Sequence, residues 1–224
     1  MRFKEFIDID SLRHAKIDEK PVKNYKGDYK NLDIAKPSSN GSDKTYQELN
    51  NMQDMFKDRN EVIEKSVKDH DDQVGYAVKK YLDDNNLEYK ESDIDKIAEI
   101  GSGIVRYYKN KFERVRPYQL AEALNMKFDH MPLDSDSMKS PAYPSGHSLQ
   151  SRLIAEYYAE QYPEHRKGLI AGAEECGKGR IYAGWHYPSD HTASVKLAKQ
   201  IYPNITMRKT FKESIIDIPR RTYA

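Results

Sequence analysis

Apolar residues recur every three or four positions through much of the chain, which is typical of amphipathic helices. One such pattern extends from Tyr46 to about Leu87 and predicts two helices. A second follows Ser92-Asp93-Ile94-Asp95, which resembles a capping box with Asp in place of the usual Glu or Gln, and continues toward Phe112. No stretch of useful length alternates apolar and polar residues. We therefore predict an all-α fold with a single helical-bundle domain.

Three more helices are predicted in the C-terminal half of the chain. The first begins near Gly146, after a loop at residues 128–146 that is rich in Asp, Ser and Pro. Another follows Pro163. The last opens at Pro188, because proline suits the first turn of a helix.

The two ends of the chain lack this periodicity. Residues 1–44 mix Lys, Asp, Asn and Tyr and close on a loop-like run of Pro, Ser, Asn and Gly, which predicts a polar N-terminal arm. Residues 204–224 are interpreted as a polar C-terminal tail. The predicted helical domain thus spans residues 45–203.

Composition narrows the class of protein. Hydrophobic residues make up 38% of the 224, and no run approaches the roughly 20 apolar residues that cross a bilayer, so we expect no membrane span. The net charge of +1 gives no general attraction for polyanions, and no nucleic-acid partner is expected. The chain has one cysteine and therefore no intrachain disulfide. The lean apolar content and the polar ends make a homo-oligomer plausible.

The expected compartment is the cytoplasm. The first residues, Met1 to Asp8, contain no apolar stretch of the length that a secretory signal has. A periplasmic location would require that a precursor segment had been removed.

Three clusters along the chain carry the residue types that phosphoryl transfer needs. They are Lys109 with Arg116-Pro117, then Pro144-Ser145-Gly146-His147, then Arg180 with His186 and Asp190. Ammonium and guanidinium groups around a phosphoryl group stabilise its transition state electrostatically, which is usually the largest catalytic contribution. The second cluster stands at a predicted helix start, where backbone N–H groups bind anions and glycine permits close approach. We expect Lys109, Arg116, Ser145, Gly146 and Arg180 to bind phosphate.

Two histidines allow two different tasks. A neutral imidazole can attack phosphorus, and a protonated one can give its proton to the leaving alkoxide. Asp190 lies one helical turn after His186, where its carboxylate can orient the ring, so His186 is the predicted nucleophile and His147 the predicted acid. This scheme requires no metal and no other cofactor. A zinc site at His186, Asp190 and His191 is a less favoured alternative, because adjacent positions point about 100° apart on a helix.

The three clusters resemble the signature of the type 2 phosphatidic acid phosphatase superfamily. That signature reads Lys, six residues, Arg-Pro; then Pro-Ser-Gly-His; then Ser-Arg, five residues, His, three residues, Asp. All internal spacings are kept, and one position departs, because Gly179 stands where the family has Ser. The flanking residues 142–147 and 179–186 are most similar to the soluble bacterial class A acid phosphatases, and the match covers roughly residues 105–202.

This resemblance implies a fold and an activity. The fold would be the all-helical one of acid phosphatases and vanadium haloperoxidases. Lys109, Arg116 and Arg180 would bind phosphate, His147 would be the acid, His186 the nucleophile and Asp190 its partner. Gly179 would remove one hydroxyl from the phosphate site. Trp185, beside the nucleophile, either lines the pocket or packs in its wall.

We therefore predict a metal-independent phosphomonoester hydrolase that acts on small soluble phosphate esters through a covalent phosphohistidine. Two alternatives stay open. The same anion site suits vanadate, so the protein could be a vanadium-dependent haloperoxidase. Gly179 and the long polar ends also fit a catalytically degenerate module for anion binding or assembly.

Overall fold

The computed structural model describes residues 8–132 and 135–207, and within these ranges it contains eight α-helices and no β-strand. The all-α prediction is confirmed. The α-helices are Asp43–Phe56 (α1), Glu61–Asp72 (α2), Tyr76–Asp84 (α3), Glu91–Phe112 (α4), Pro117–Ala123 (α5), Gly146–Gln161 (α6), Arg166–Tyr182 (α7) and Pro188–Ile201 (α8). Short 3₁₀ segments occur at Ile9–Ser11, Tyr29–Asn31, Asp136–Lys139, Pro163–His165 and Tyr202–Asn204.

The first part of the bundle has three helices where the pattern predicts two. The chain breaks before Glu61, because the Asn60 side chain accepts hydrogen bonds from the N–H groups of Val62 and Ile63 and starts α2 there. It breaks again at Gly75, which precedes α3. The predicted capping box is also wrong, since α4 begins at Glu91 and its N-cap residue makes no side-chain cap bond.

The C-terminal helices begin where the sequence predicts. The Ser145 side chain caps α6, and α7 follows the turn Pro163–His165. Pro188 is the first residue of α8. The seven-residue α5 was not predicted; it starts at Pro117, a position that suits proline, directly after Arg116.

Helix α6 lies at the centre of the bundle. Most of its residues from Ser148 to Ala159 are buried, and α4, α7 and α8 pack around it. A helix that is buried on nearly all sides shows little amphipathic contrast. The start of this central helix is therefore fixed by packing on three neighbours, and it carries the second of the three motif clusters.

A tight turn after α7 leads the chain to the third cluster. Gly184 has φ +78°, a left-handed conformation that favours glycine, and a Cβ there would lie 2.7 Å from Cβ of His130. The N–H groups of Trp185 and His186 both donate to the Arg180 carbonyl. This turn reverses the chain between α7 and α8 and brings residue 186 back beside residue 180.

The predicted arm packs on the bundle over residues 8–42. Val22, Tyr25 and Leu32 contact the main hydrophobic core, which α3, α4, α6, α7 and α8 build. The first residues of the predicted tail pack there too, since Ile205 is buried and forms an isolated antiparallel bridge with Tyr25. Residues 208–224 of that tail, and residues 1–7 of the arm, lie outside the described residues.

No helix in the described part of the chain has both the length and the apolar character that crossing a membrane demands.

Candidate active site

The three motif clusters meet at one cavity of about 560 Å³. Lys109, Arg116, Gly146, His147 and His186 all line it. That volume lies in the range of small-molecule sites and exceeds what a phosphate ion alone would need. The folded chain thus brings together residues that are up to 77 positions apart in sequence, 109 to 186.

His186 is buried and held from both ring nitrogens. Its Nδ1 lies 3.2 Å from Asp190 Oδ2, and its Nε2 lies 3.1 Å from Nη1 of Arg116. A guanidinium can only donate, so Nε2 accepts and the ring proton is on Nδ1, facing the carboxylate. Burial, and then the charges of Arg116 and Lys109, hold the pKa of His186 well below its usual value. The ring is therefore neutral, and its Nε2 lone pair faces the cavity wall that carries Arg116.

Asp190 is fully buried in the first turn of α8. Its Oδ2 also accepts from the backbone N–H of Tyr187 at 2.9 Å, which is the N-terminal cap of the helix. Its Oδ1 accepts from Nη1 of Arg114 at 2.6 Å. Three donors therefore fix this carboxylate, and it can hold the imidazole of His186 in one orientation.

Arg116 and Lys109 place two cations at the cavity. Nη1 of Arg116 donates to the Trp185 carbonyl at 2.8 Å, and its Nε donates to the Ser140 carbonyl at 2.9 Å. Lys109, in the last turn of α4, donates to the Pro141 carbonyl. Burial and the Arg180 charge lower the pKa of Arg116 to about 10, and burial together with Arg116 holds the pKa of Lys109 well below its usual value. Crowded, desolvated cations of this kind favour an anion among them.

The start of α6 presents Gly146 and His147 to the cavity, whereas Ser145 lies behind it. Ser145 Oγ caps the helix and accepts from the Ser148 hydroxyl at 2.9 Å. The His147 side chain is 14% exposed. Burial, followed by the charges of Arg180 and His186, holds the pKa of His147 well below its usual value. For both histidines of the site the neutral form is therefore favoured.

Arg180 is fully buried on α7 beside this group and does not line the cavity. Its Nη2 donates to Asp71 Oδ1 at 2.7 Å, and its guanidinium lies 4.3 Å from the centre of the Trp185 ring. Trp185 is itself fully buried, with Nε1 donating to the Met131 carbonyl at 3.1 Å. Of the two alternatives for Trp185, the structure shows wall packing.

Three charged residues that the sequence analysis does not predict form ion pairs at the site: Arg114, Glu48 and Asp71. Arg114 links Asp190 to Glu48 of α1, since its Nη2 lies 3.0 Å from Glu48 Oε2. Asp71, at the end of α2, has Oδ1 2.7 Å from Arg180 Nη2 and 3.9 Å from His147 Nε2. Arg114 lies between Lys109 and Arg116 in the sequence, and its place in this cationic segment is a signal for a role in the site. Asp71 and Glu48 lie in helices with no motif.

The structure also bears on Gly179 and on the alternative zinc site. A Cβ at Gly179 would lie 3.4 Å from Val67 of α2, an ordinary contact, and this position does not line the cavity. His191 faces away from His186, with Nδ1 3.0 Å from Ser148 Oγ and Nε2 3.0 Å from Glu174 Oε2. Within residues 8–132 and 135–207, no group of three His, Cys, Asp or Glu side chains is placed to hold a metal ion.

Comparison with known proteins agrees with the motif. The model of the PAP2 superfamily matches residues 97–199, which confirms the resemblance that the three clusters predict. This segment runs from α4 to α8 and contains all eight predicted site residues.

Two curated relatives are similar over that part of the chain. The non-specific acid phosphatase of Providencia stuartii is 26% identical over 122 residues, which are 53% of this chain and 47% of that protein. The non-specific acid phosphatase of Salmonella typhimurium is 27% identical over 114 residues, 49% of this chain and 43% of that protein. The matched region thus spans less than half the length of either relative.

Among solved structures, a transmembrane PAP2-type phosphatidylglycerolphosphate phosphatase from Bacillus subtilis is similar at 18% identity. The TM-score is 0.47, with 81% of this chain and 90% of that one covered. A likeness at this level does not establish a common fold.

Proposed function

We propose that this protein is a phosphomonoester hydrolase that transfers the phosphoryl group of a small phosphate ester to His186 and then to water. In the first step Nε2 of His186 bonds to phosphorus while the ester P–O bond breaks, and protonated His147 gives its proton to the leaving oxygen. In the second step the oxygen of a water molecule bonds to phosphorus, neutral His147 takes up a proton of that water, and the P–Nε2 bond breaks to release phosphate and neutral His186.

One observation carries the proposal: a buried neutral imidazole has Nδ1 on Asp190 and directs Nε2 to the cation-lined cavity. An imidazole lone pair at an anion-binding site is an activated nucleophile, because the carboxylate behind it stabilises the positive charge that develops on attack. In the proposed complex, Lys109, Arg116 and the N–H groups at Gly146 surround the phosphoryl oxygens, and the buried Arg180 adds its positive charge from behind the cavity wall.

The pKa directions bear on the protonation states that the first step needs. The first step needs His186 neutral and His147 protonated, and both pKa values lie below the ordinary histidine value of about 6.5. These shifts favour the neutral form of His186, whereas the proton on His147 has to be stabilised by the entering phosphate anion. The two limbs of the rate profile belong to the coupled pair.

The test separates the two histidines. His186→Ala should abolish release of p-nitrophenol from p-nitrophenyl phosphate, whereas His147→Ala should still accept the phosphoryl group, because nitrophenolate leaves without an acid. Radioactive phosphate should remain covalently bound to His147→Ala and not to His186→Ala. His165→Ala is the matched control, since His165 contacts Tyr81 outside the cavity. Hydrolysis by His186→Ala at the parent rate would overturn the assignment.

The same samples address the remaining alternatives. Bromide oxidation with vanadate and peroxide would indicate a haloperoxidase. A folded protein that binds phosphate but releases none from any ester would indicate an anion-binding module. A cytoplasmic location, a homo-oligomeric state and the lack of a nucleic-acid partner stay predictions.

A further inference from the structure

The cavity has an outer wall that the phosphate motif does not include. Ser102 and Arg106 lie on α4, before Lys109, and Arg106 is three residues from it, so the two side chains lie on one face of the helix. Gln150 lines the cavity from α6, one turn after Gly146. A substrate whose phosphoryl group sits among Lys109, Arg116 and His186 would place its leaving group against this wall.

The N-terminal arm forms the opposite side of the same opening. Lys16, Ile17 and Asp18 line the cavity. Asn110 of α4 holds this segment in two directions, because its Oδ1 accepts from the Ile17 N–H at 2.9 Å and its Nδ2 donates to the Ile17 carbonyl at 2.7 Å. The wall is therefore a fixed part of the fold over these residues.

Arg106 stands where the arm and α4 meet. Its Nη1 donates to the Asp18 carbonyl at 2.9 Å. Arg106 is half-buried and lines the cavity, and its guanidinium has further N–H donors that can bind a ligand there. The other two cations of the wall face carboxylates, Lys139 with Asp136 at 2.6 Å and Lys16 with Glu113 at 3.6 Å. Among the described residues, Arg106 makes no ion pair. An anchored guanidinium without a carboxylate is suited to a planar or tetrahedral anion.

Resting on the proposed function, we infer that the guanidinium of Arg106, held in place by the backbone of Asp18, forms a second anion subsite, which selects phosphate esters whose leaving group carries a carboxylate or a second phosphate. The subsite lies outside the superfamily motif. The Coulomb effect of Arg106 on the buried Lys109 amine agrees with a short distance between the two anion positions.

The experiment compares three esters with one glycerol-like skeleton. Glycerol 3-phosphate has no second anion, 3-phosphoglycerate has a carboxylate, and glycerol 1,3-bisphosphate has a second phosphate. Relative to glycerol 3-phosphate, kcat/KM should be higher for at least one of the other two. Arg106→Gln should reduce that preference about tenfold, the size expected when a charge-assisted hydrogen bond is lost. Lys96→Gln, which removes an exposed cation from the same helix, should leave the preference unchanged.

A binding measurement keeps this inference separate from the proposed function. In the His186→Ala background, calorimetric Kd values for the same esters should show the preference and its loss with Arg106→Gln. If the wild-type protein hydrolyses nothing but this binding pattern appears, the hydrolase proposal fails and the subsite stands. If glycerol 3-phosphate is favoured, or if Arg106→Gln leaves the preference intact, the subsite is overturned whatever the turnover.

Discussion

The two halves of this molecule serve the site in different ways. The segment from α4 to α8, with its connecting turns, contains every residue predicted to bind or attack phosphate. Three of these residues are buried cations, Lys109, Arg116 and Arg180. The N-terminal half, with the arm and α1 to α3, supplies carboxylates that pair with buried cations of the site. Glu48 reaches Arg114, and Asp71 reaches Arg180.

This difference shows how a crowded cationic site is kept in place before substrate arrives. Like charges at short distance repel, and each buried cation also loses its hydration. Two carboxylates of the N-terminal half offset part of this cost, one on each side of the histidine pair. The chemistry proposed for the C-terminal half therefore depends on helices that carry no part of its motif.

The largest effect should come from cutting the link between the halves at Arg114. Arg114→Met leaves Asp190 and Glu48 without their shared cation, and breaking a buried ion pair in this way costs about 3–5 kcal/mol of stability. Activity should fall as well, because the Asp190 carboxylate loses its strongest anchor. Urea denaturation gives the first quantity, and kcat against KM gives the second, with the loss expected in kcat.

Two variants distinguish positioning from general loss of structure. Arg114→Lys keeps the positive charge but loses the planar guanidinium that bonds Asp190 and Glu48 together. Compared with Arg114→Met, it should recover part of the stability and little of kcat. Glu48→Gln should cost less than Arg114→Met, since Asp190 then keeps its own partner. If Arg114→Met were to retain parental kcat, the N-terminal half would have no role in holding the nucleophile.

A smaller effect is expected at Asp71, on the other side of the pair. Its carboxylate lies 3.9 Å from His147 Nε2, and a negative charge at that distance favours the protonated ring. Asp71→Asn should disfavour the protonated form of His147, so the alkaline limb of the kcat/KM profile, which reports the coupled histidine pair, should move to lower pH by about one unit. Asp72→Asn, its exposed neighbour on α2, is the matched control. An unmoved limb would mean that Asp71 acts on Arg180 alone.

Much of the C-terminal half could be predicted from the sequence. Pro188 and the Ser145-Gly146 start are local signals, each fixed by the chemistry of a helix terminus, and both helices begin there. The spacing of four residues from His186 to Asp190 is likewise a one-turn relation, although Asp190 also serves as the cap of its own helix. Local rules suffice where the interacting groups are one turn apart.

The N-terminal half could not be predicted in the same way. The pairing of Asp71 with Arg180 joins positions 109 apart, and nothing near Asp71 in sequence distinguishes it from the exposed Asp72. The third helix was missed because Asn60 and Gly75 interrupt a periodicity that continues on both sides of them. The sequence predicts a polar arm apart from the core, yet the Ile17 N–H donates to Asn110, 93 positions later in the chain.

The smallest expected effect is on the pH dependence of stability, to which a buried histidine in each half contributes. His147 lies in the site and His70 on α2, and burial lowers the pKa of both. Above about pH 6.5 neither the folded nor the unfolded state holds the extra proton. Below it the unfolded chain takes up protons that the folded chain does not, so the free energy of unfolding falls until the folded pKa values are reached.

Phosphate should remove only the part of this dependence that belongs to the site. The bound anion favours protonated His147, which raises its pKa toward the unfolded value, whereas His70, whose Nδ1 donates to the Ser66 carbonyl at 2.7 Å, stays as it is. Between pH 7.5 and 5.5, the fall in Tm should therefore be smaller with phosphate than without it, at roughly 2–4 °C for each kcal/mol. His147→Gln should reduce this difference to the part that His186 contributes, and His70→Gln should preserve it while reducing the overall fall. An equal fall with and without phosphate in the parent protein would show that the anion does not contact His147. His147 could then not be the acid that the C-terminal half is proposed to supply.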